Sequence, residues 1–186
     1  MTARGRLFVV SGPSGSGKSS IISQVLSETD VEFSVSATTR LPRPGEVDGR
    51  HYHFMDRDEF KRMIEEGALL EWAEYNNHLY GTPAAPIERA NGEGRDVLLD
   101  IEIQGARQVK QNRPDSIMVF VTPPSMEELE RRLRNRGDTS DADIEDRLEI
   151  AAGQLAVADE LCDHILVNDD FSEAVDELLD LITGPA

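Results

Sequence analysis

The run Gly12-Pro13-Ser14-Gly15-Ser16-Gly17-Lys18-Ser19 fits the pattern G-x-x-x-x-G-K-[ST], whose residue types suit a bound polyphosphate. Its glycines let the backbone curl until N–H groups converge on phosphate oxygens. A helix opening directly after it adds the positive end of its dipole to the same anion. Lys18 supplies a point charge for the β- and γ-phosphates, and Ser19 a hydroxyl for Mg²⁺. Ser20 closes the candidate ATP-binding stretch. The plainer alternative is a glycine-rich turn without a ligand, and the flanking segments argue against it.

Those flanks are the elements the motif needs. Residues 7–10 are all apolar and read as a buried strand; residues 20–26 carry apolar side chains at helical spacing. Residues 31–36 alternate as a half-buried strand would, and 38–45, with two prolines and a glycine, form no regular element. Residues 51–54 suit a short strand. Asp56 with Glu59 makes a capping box for a helix ending at Gly67. Residues 69–73 and 78–80 flank Asn76-Asn77 as a hairpin, and Pro83 starts a short helix. An apolar strand over 96–100 ends in a carboxylate, Asp100, and leads into a helix that stops near Asn112, before Pro114. A core strand over 117–121 precedes a second capping box, Ser125 with Glu128, and an arginine-rich helix through Arg136. A loop, a long helix over 143–161, a strand over 164–168 and an amphipathic helix over 172–182 complete the chain.

Strands alternating with helices at both ends of the chain predict an α/β fold with a parallel sheet covered by helices on both faces. The short strands and hairpin signals in between break that rhythm. The expected organisation is a core of residues 1–33 and 97–186, an inserted mixed-β lobe over 34–96, and a helical lid at about 126–150 within the core.

Bulk properties narrow the partners. The 186-residue chain has 36 acidic against 19 basic residues, a net charge of −17, which repels nucleic-acid backbones and anionic lipids. Neither a nucleic acid nor a membrane is expected as a partner. No apolar run approaches the ~20 residues that span a bilayer, and residues 1–6 enter the first strand with no signal-peptide pattern. Cys162 is the single cysteine, so no internal disulfide forms, and a cytoplasmic location is expected. It reads as a buried, inert thiol, and Trp72 as a core residue. His51, His53, His78 and His164 lack the spacing of a zinc site. The oligomeric state stays open.

A phosphate loop can serve a switch, a hydrolase or a transferase. The D-x-x-G and N-K-x-D strings of a GTPase switch do not occur, and a motor or transporter ATPase is usually larger. A small kinase needs a second substrate site and a cationic lid. Residues 34–49, Ser34-Val35-Ser36-Ala37-Thr38-Thr39-Arg40-Leu41-Pro42-Arg43-Pro44-Gly45-Glu46-Val47-Asp48-Gly49, then Tyr52-His53-Phe54, closely resemble the guanylate kinase signature. So do Glu71-Trp72-Ala73, Tyr80-Gly81-Thr82-Pro83, Leu99-Asp100-Ile101-Glu102-Ile103-Gln104-Gly105, Arg134-Asn135-Arg136-Gly137 and Val167-Asn168-Asp169-Asp170. The resemblance runs in order through nearly the whole chain.

It implies a three-layer core of the P-loop NTPase type, a GMP-binding lobe and the reaction ATP + GMP ⇌ ADP + GDP with Mg²⁺, with dGMP as a further acceptor. It also implies a role for Asp100 near the guanine and the water shell of the metal, lid arginines Arg132, Arg136 and Arg147 closing over ATP, and Asn168 bordering the adenine. Glu102 stands where the family often has Asp. The catalytic set is then Lys18, Arg40, Asp100, Arg132, Arg136 and Arg147. The rival reading is a guanylate-kinase-like interaction module without catalysis.

The residue chemistry agrees independently. Arg40 and Arg43 lie on a proline-kinked loop and suit a clamp on a phosphate dianion. Tyr52 and Tyr80 can add phenol hydrogen bonds, or simply pack. A carboxylate accepts both guanine donors, N1–H and N2–H₂, at once, and Glu71 in a largely apolar strand is the candidate, with a solvated strand position as the alternative. Ser36 and Thr82 can bond the base. Asp100, at the end of a central strand, sits where open parallel sheets bind ligands, and a helix N-cap is its alternative. Arg132 and Arg136 share a helix face, with an ion pair between Arg132 and Glu128 as the plainer reading.

Overall fold

The computed structural model describes residues 4–135 and 141–184. Its centre is a five-stranded parallel sheet in the order β2-β7-β1-β8-β9, built from β1 (Leu7–Ser11), β2 (Glu32–Phe33), β7 (Val97–Asp100), β8 (Ile117–Thr122) and β9 (His164–Val167). Period-two alternation along β1 splits the core into two layers. Phe8 and Val10 face α1 (Lys18–Glu28) and α7 (Phe171–Thr183), where Ile21, Val25, Val175 and Leu178 are buried. Leu7 and Val9 face α3 (Ala84–Gly92) and α4 (Ile103–Asn112), where Ile87, Ala90, Ala106 and Val109 are buried. With both sheet faces covered, the strands read as apolar runs. Arg6 ties the two chain ends together. It pairs with Asp96 and donates to the carbonyls of Ile182 and Gly184.

A second, mixed sheet has the order β4-β3-β6-β5. Its strands are β3 (Ala37–Thr38), β4 (His53–Phe54), β5 (Leu69–Tyr75) and β6 (His78–Pro83), with α2 (Arg57–Glu65) packed on it through Phe60. β3 and β4 run parallel, and β6 pairs antiparallel with both β3 and β5. The hairpin turns at Asn76 and Asn77, whose φ of 49° and 61° are the left-handed values a two-residue turn needs. Asp56 caps α2 by accepting from the Glu59 N–H.

The half-buried strand expected over 31–36 is not one element. Only Glu32 and Phe33 pair, with β7, and the chain leaves that sheet before re-entering pairing at Ala37 in the other. Burial does not alternate along the segment either: Val31 and Ser34 are buried, and Glu32, Phe33, Val35 and Ser36 are half-buried. Pro83 ends β6 and caps α3 without entering it. After β8, α5 (Met126–Asn135) and α6 (Asp141–Leu161) pack together through Leu129, Leu133, Ile144 and Ala151.

Candidate active site

The glycine-rich loop joins the C-terminal end of β1, the middle strand, to α1. Gly17 is the N-cap of α1 with φ 90°, and a Cβ there would stand 2.2 Å from Asn168 Nδ2. Only glycine meets both demands. Lys18 and Ser19 open the helix, so their amides have no intrahelical acceptor, and the first turn carries no acidic side chain to neutralise the dipole. Pro13 O accepts from Ser16 N–H at 3.1 Å and tightens the curl. Leu129 and Leu133 of α5 lie against Gly15. Ser14, Ser19 and Ser20 are exposed at the loop and the helix start, whereas Gly12, Pro13 and Ser16 are buried.

Asn168, just beyond β9, is buried, and its amide donates to Ser16 O at 2.7 Å. Arg132 donates to Asn168 O at 2.9 Å and to Ser16 O at 3.4 Å, and pairs with Glu128 at 2.7 Å. The ion pair with Glu128 and a station beside the phosphate loop therefore hold together for Arg132. Arg147, on α6, reaches Ser14 Oγ at 3.5 Å. Arg136 lies outside the described residues. Arg131 and Arg134 bond Glu128 and Glu130 respectively, away from the loop.

Asp100 is the last residue of β7, opposite Val10 of β1. It pairs directly with Lys18 Nζ. It is not a helix cap: Glu102 holds the N-cap position of α4, and its carboxylate accepts from Gln154 of α6 at 3.0 Å. Ser19 and Asp100 offer a hydroxyl and one carboxylate, oxygen donors alone. That set fits a hard divalent ion that keeps most of its water and shares phosphate oxygens with a substrate.

On the second sheet, Arg40, Tyr52 and Tyr80 form one cluster. The Arg40 guanidinium lies 5.4 Å from the Tyr52 ring centre, and the two phenol rings meet edge-on at 6.1 Å. Glu46 grips Arg40 through two 2.8 Å bonds and accepts from the Arg43 backbone N–H at 2.6 Å. The Arg40 fork holds the Glu46 carboxyl down at about 2, with help from the Arg43 amide. Burial, then the neighbouring Tyr80, pushes the Tyr52 phenol up, and the negative charge of Asp100 acts in the same direction. The Arg43 side chain is exposed, and Ser36 is half-buried where the chain passes between the sheets.

Glu71 is 7% exposed and Thr82 fully buried. They face each other across the β5–β6 pairing, and Thr82 Oγ1 donates to Glu71 Oε1 at 2.7 Å. A register shift between Leu69 and Glu71 interrupts the ladder there. Burial drives the Glu71 carboxyl above the ordinary carboxylate range, and the Thr82 bond opposes this. A buried carboxylate with a single side-chain donor is short of partners, and a ligand with paired N–H groups answers that need.

Two expectations need amendment. Trp72 is not core: it is 41% exposed, because its side chain alternates away from that of Glu71 along β5. Cys162 is half-buried, and burial followed by Asp163 lifts its thiol to about 11. Glu46 has no role in the sequence reading. Its place three residues after Arg43, in an arginine-bearing turn, was the available signal.

A family model described as guanylate kinase matches residues 4–184. The chain belongs to the guanylate kinase family. A guanylate kinase of Rubrobacter xylanophilus is 51% identical over 180 residues, covering 96% of this chain and 94% of that protein. One from Thermus thermophilus is also 51% identical, over 97% of this chain and 82% of its own length. The crystal structure of guanylate kinase from Anaplasma phagocytophilum superposes with a TM-score of 0.77 at 32% identity, covering 98% of this chain and 86% of that one. Among the described residues, no helix of this guanylate kinase family member is long and apolar enough to cross a membrane.

Proposed function

We propose that the chain transfers the terminal phosphoryl group of ATP to GMP, the guanylate kinase reaction, with Glu71 selecting the base. The observation that carries this reading is the position of Asp100. Its carboxylate pairs with Lys18 of the phosphate loop, and its charge reaches Tyr52 of the arginine–tyrosine cluster. This supports a reading in which donor and acceptor phosphates are held on either side of that one residue. Curated relatives carry the enzyme's name, so a non-catalytic interaction module is not favoured.

The loop amides and Lys18 hold the donor phosphates. Arg40 and Arg43, with Tyr52 and Tyr80, hold the GMP phosphate. Glu46 already occupies the Arg40 fork, so an incoming dianion would exchange one anionic partner for another there. An oxygen of the GMP phosphate attacks the γ-phosphorus, the bond to the β–γ bridging oxygen breaks, and ADP leaves without a covalent intermediate. Mg²⁺, which Ser19 would hold directly and Asp100 through water, would neutralise charge on the donor phosphates when bound. Arg132, Arg136 and Arg147 stabilise the charge that spreads over the migrating group. Asn168 supports the loop and borders the adenine. Closure of the lid excludes water and prevents wasteful hydrolysis.

Glu71 and Thr82, with Ser36, read the guanine. A site built on paired polar groups rejects the wrong base because its own groups are then left unsatisfied. A coupled assay of ADP formation across GMP, dGMP, IMP, AMP and UMP tests the reading. GMP and dGMP should be phosphorylated, IMP poorly, and AMP and UMP at background. Equal rates with AMP and GMP, or no ADP with any acceptor, would overturn it.

A further inference from the structure

Glu71 lies on β5, the edge strand of the second sheet, yet the element beside it belongs to the parallel core. One edge of β5 pairs with β6. The other meets α4 along Gly105, Gln108 and Asn112, spaced three and four apart and hence on one helix stripe. Three consecutive residues of β5 each meet one member of that stripe. Asn112 Nδ2 donates to Leu70 O at 2.8 Å. Gln108 bonds both backbone groups of Trp72, donating to its carbonyl at 2.9 Å and accepting from its N–H at 3.2 Å, as a neighbouring strand would. Gly105 lies against Glu71 itself: a Cβ there would stand 2.6 Å from Oε2 and 3.1 Å from Cδ.

The contacts fall at the irregularity in the β5 ladder. The register shifts between Leu69 and Glu71, so residue 70 is the extra one. Such a bulge re-aims the next side chain and disrupts the ladder with β6 locally, which leaves the outer edge of the strand for α4 to hold. Asn112 and Gln108 take up the groups on either side of Glu71, and Gly105 leaves room for its carboxylate.

We propose that the Gly105–Gln108–Asn112 stripe of α4 is the positioning device for base selection: it holds the β5 bulge and sets where the Glu71 carboxylate stands. The proposal rests on the reading of Glu71 as the guanine-selecting group. Gly105 is the sharpest member. It sits inside α4 with no left-handed φ, so alanine suits the backbone and raises helix propensity. The three heavy atoms nearest the added methyl all belong to the Glu71 side chain, whose carboxylate end can shift to make room. Fold stability and base selection should therefore respond in opposite directions, which a merely structural role does not predict.

The test compares Gly105→Ala, Gln108→Ala and Glu71→Gln with the parent in steady-state kinetics, with GMP and IMP as acceptors, alongside thermal melts. Exposed Arg107→Ala, on another face of α4, is the control and leaves GMP kinetics unchanged. Gly105→Ala should lower kcat/KM for GMP by ~10-fold or more, since displacing a group by a fraction of an ångström has effects on this scale. KM for ATP should stay within about twofold of the parent, the GMP-over-IMP preference should narrow, and Tm should not fall. Gln108→Ala should show the same split at smaller amplitude. Equal rises in KM for GMP and ATP, or an unchanged GMP-over-IMP ratio in both α4 variants, overturn the positioning role. If Glu71→Gln narrows the ratio while the α4 variants keep it, the positioning proposal alone fails. If Glu71→Gln also leaves the ratio intact, the base-reading role fails and this proposal with it.

Discussion

Replacing Glu71 with Gln should damage GMP use while leaving the unliganded protein at least as stable. An ionised carboxylate accepting from guanine N1–H and N2–H₂ makes two charge-assisted bonds of about 1.5–3 kcal/mol each. Glutamine offers one neutral acceptor and turns an NH₂ group toward base donors. The loss is about 3–4 kcal/mol, which at about 1.4 kcal/mol per decade is roughly 10²- to 10³-fold in kcat/KM for GMP. IMP lacks N2–H₂ and has one such contact to lose, so its kcat/KM should fall roughly tenfold. Stability moves the other way. The carboxyl is 7% exposed, and burial raises its pKa above that of the unfolded chain. The folded state therefore binds the proton more tightly; the associated stability is present below the unfolded pKa and is lost as pH rises through the folded one. Above the folded pKa that loss is complete in the parent, and it is absent in the glutamine variant. The assay couples ADP release to GMP and to IMP, with melts on the nucleotide-free proteins. Equal losses for both acceptors, or a variant that melts well below the parent with unchanged KM for GMP, would refute the reasoning.

The same raised pKa predicts that kcat/KM for GMP falls on acidification at a pH above the ordinary glutamate range, while Glu71→Gln gives a flat profile there; a parent profile flat into that range would contradict it. Lys18→Ala should lose ~10²-fold or more in kcat, the scale of removing one charge-stabilising group, with far-UV circular dichroism unchanged. Phe120 is fully buried between the sheet and α6, so Phe120→Ala should cost about 3–5 kcal/mol, read as a Tm drop of roughly 10 °C. Cys162, with its thiol near 11, should react slowly with a thiol reagent at pH 8 and faster as pH approaches that value.

Much of the candidate donor site was legible in the chain as a local pattern. A strand, a glycine turn and a helix start supply backbone amides, a lysine and a hydroxyl within eight consecutive residues. The parallel sheet was legible for the same reason, since apolar strands alternating with amphipathic helices have few ways to bury their faces. Residue type also nominated Glu71, whose carboxylate lies in a largely apolar strand. The chain alone could not say that Glu71 would be buried and Trp72 exposed, because alternation gives two faces without saying which one is covered.

Tertiary structure decided the relations between distant residues. Lys18 meets Asp100, 82 positions away, and Asn168 holds the carbonyl of Ser16 across 152 positions. Of residues 31–36 only Glu32 and Phe33 joined a strand, and the second sheet begins at Ala37, since pairing partners, and not the alternation itself, determine sheet membership. Gln108 reads in sequence as a polar residue on a helix; only the approach of the β5 edge turns its amide into a strand partner. Local chemistry follows from neighbours along the backbone and is written in the order of residues. The Glu71 carboxylate, the Thr82 hydroxyl and the Gly105 face of α4 belong to segments that meet only once the chain has folded.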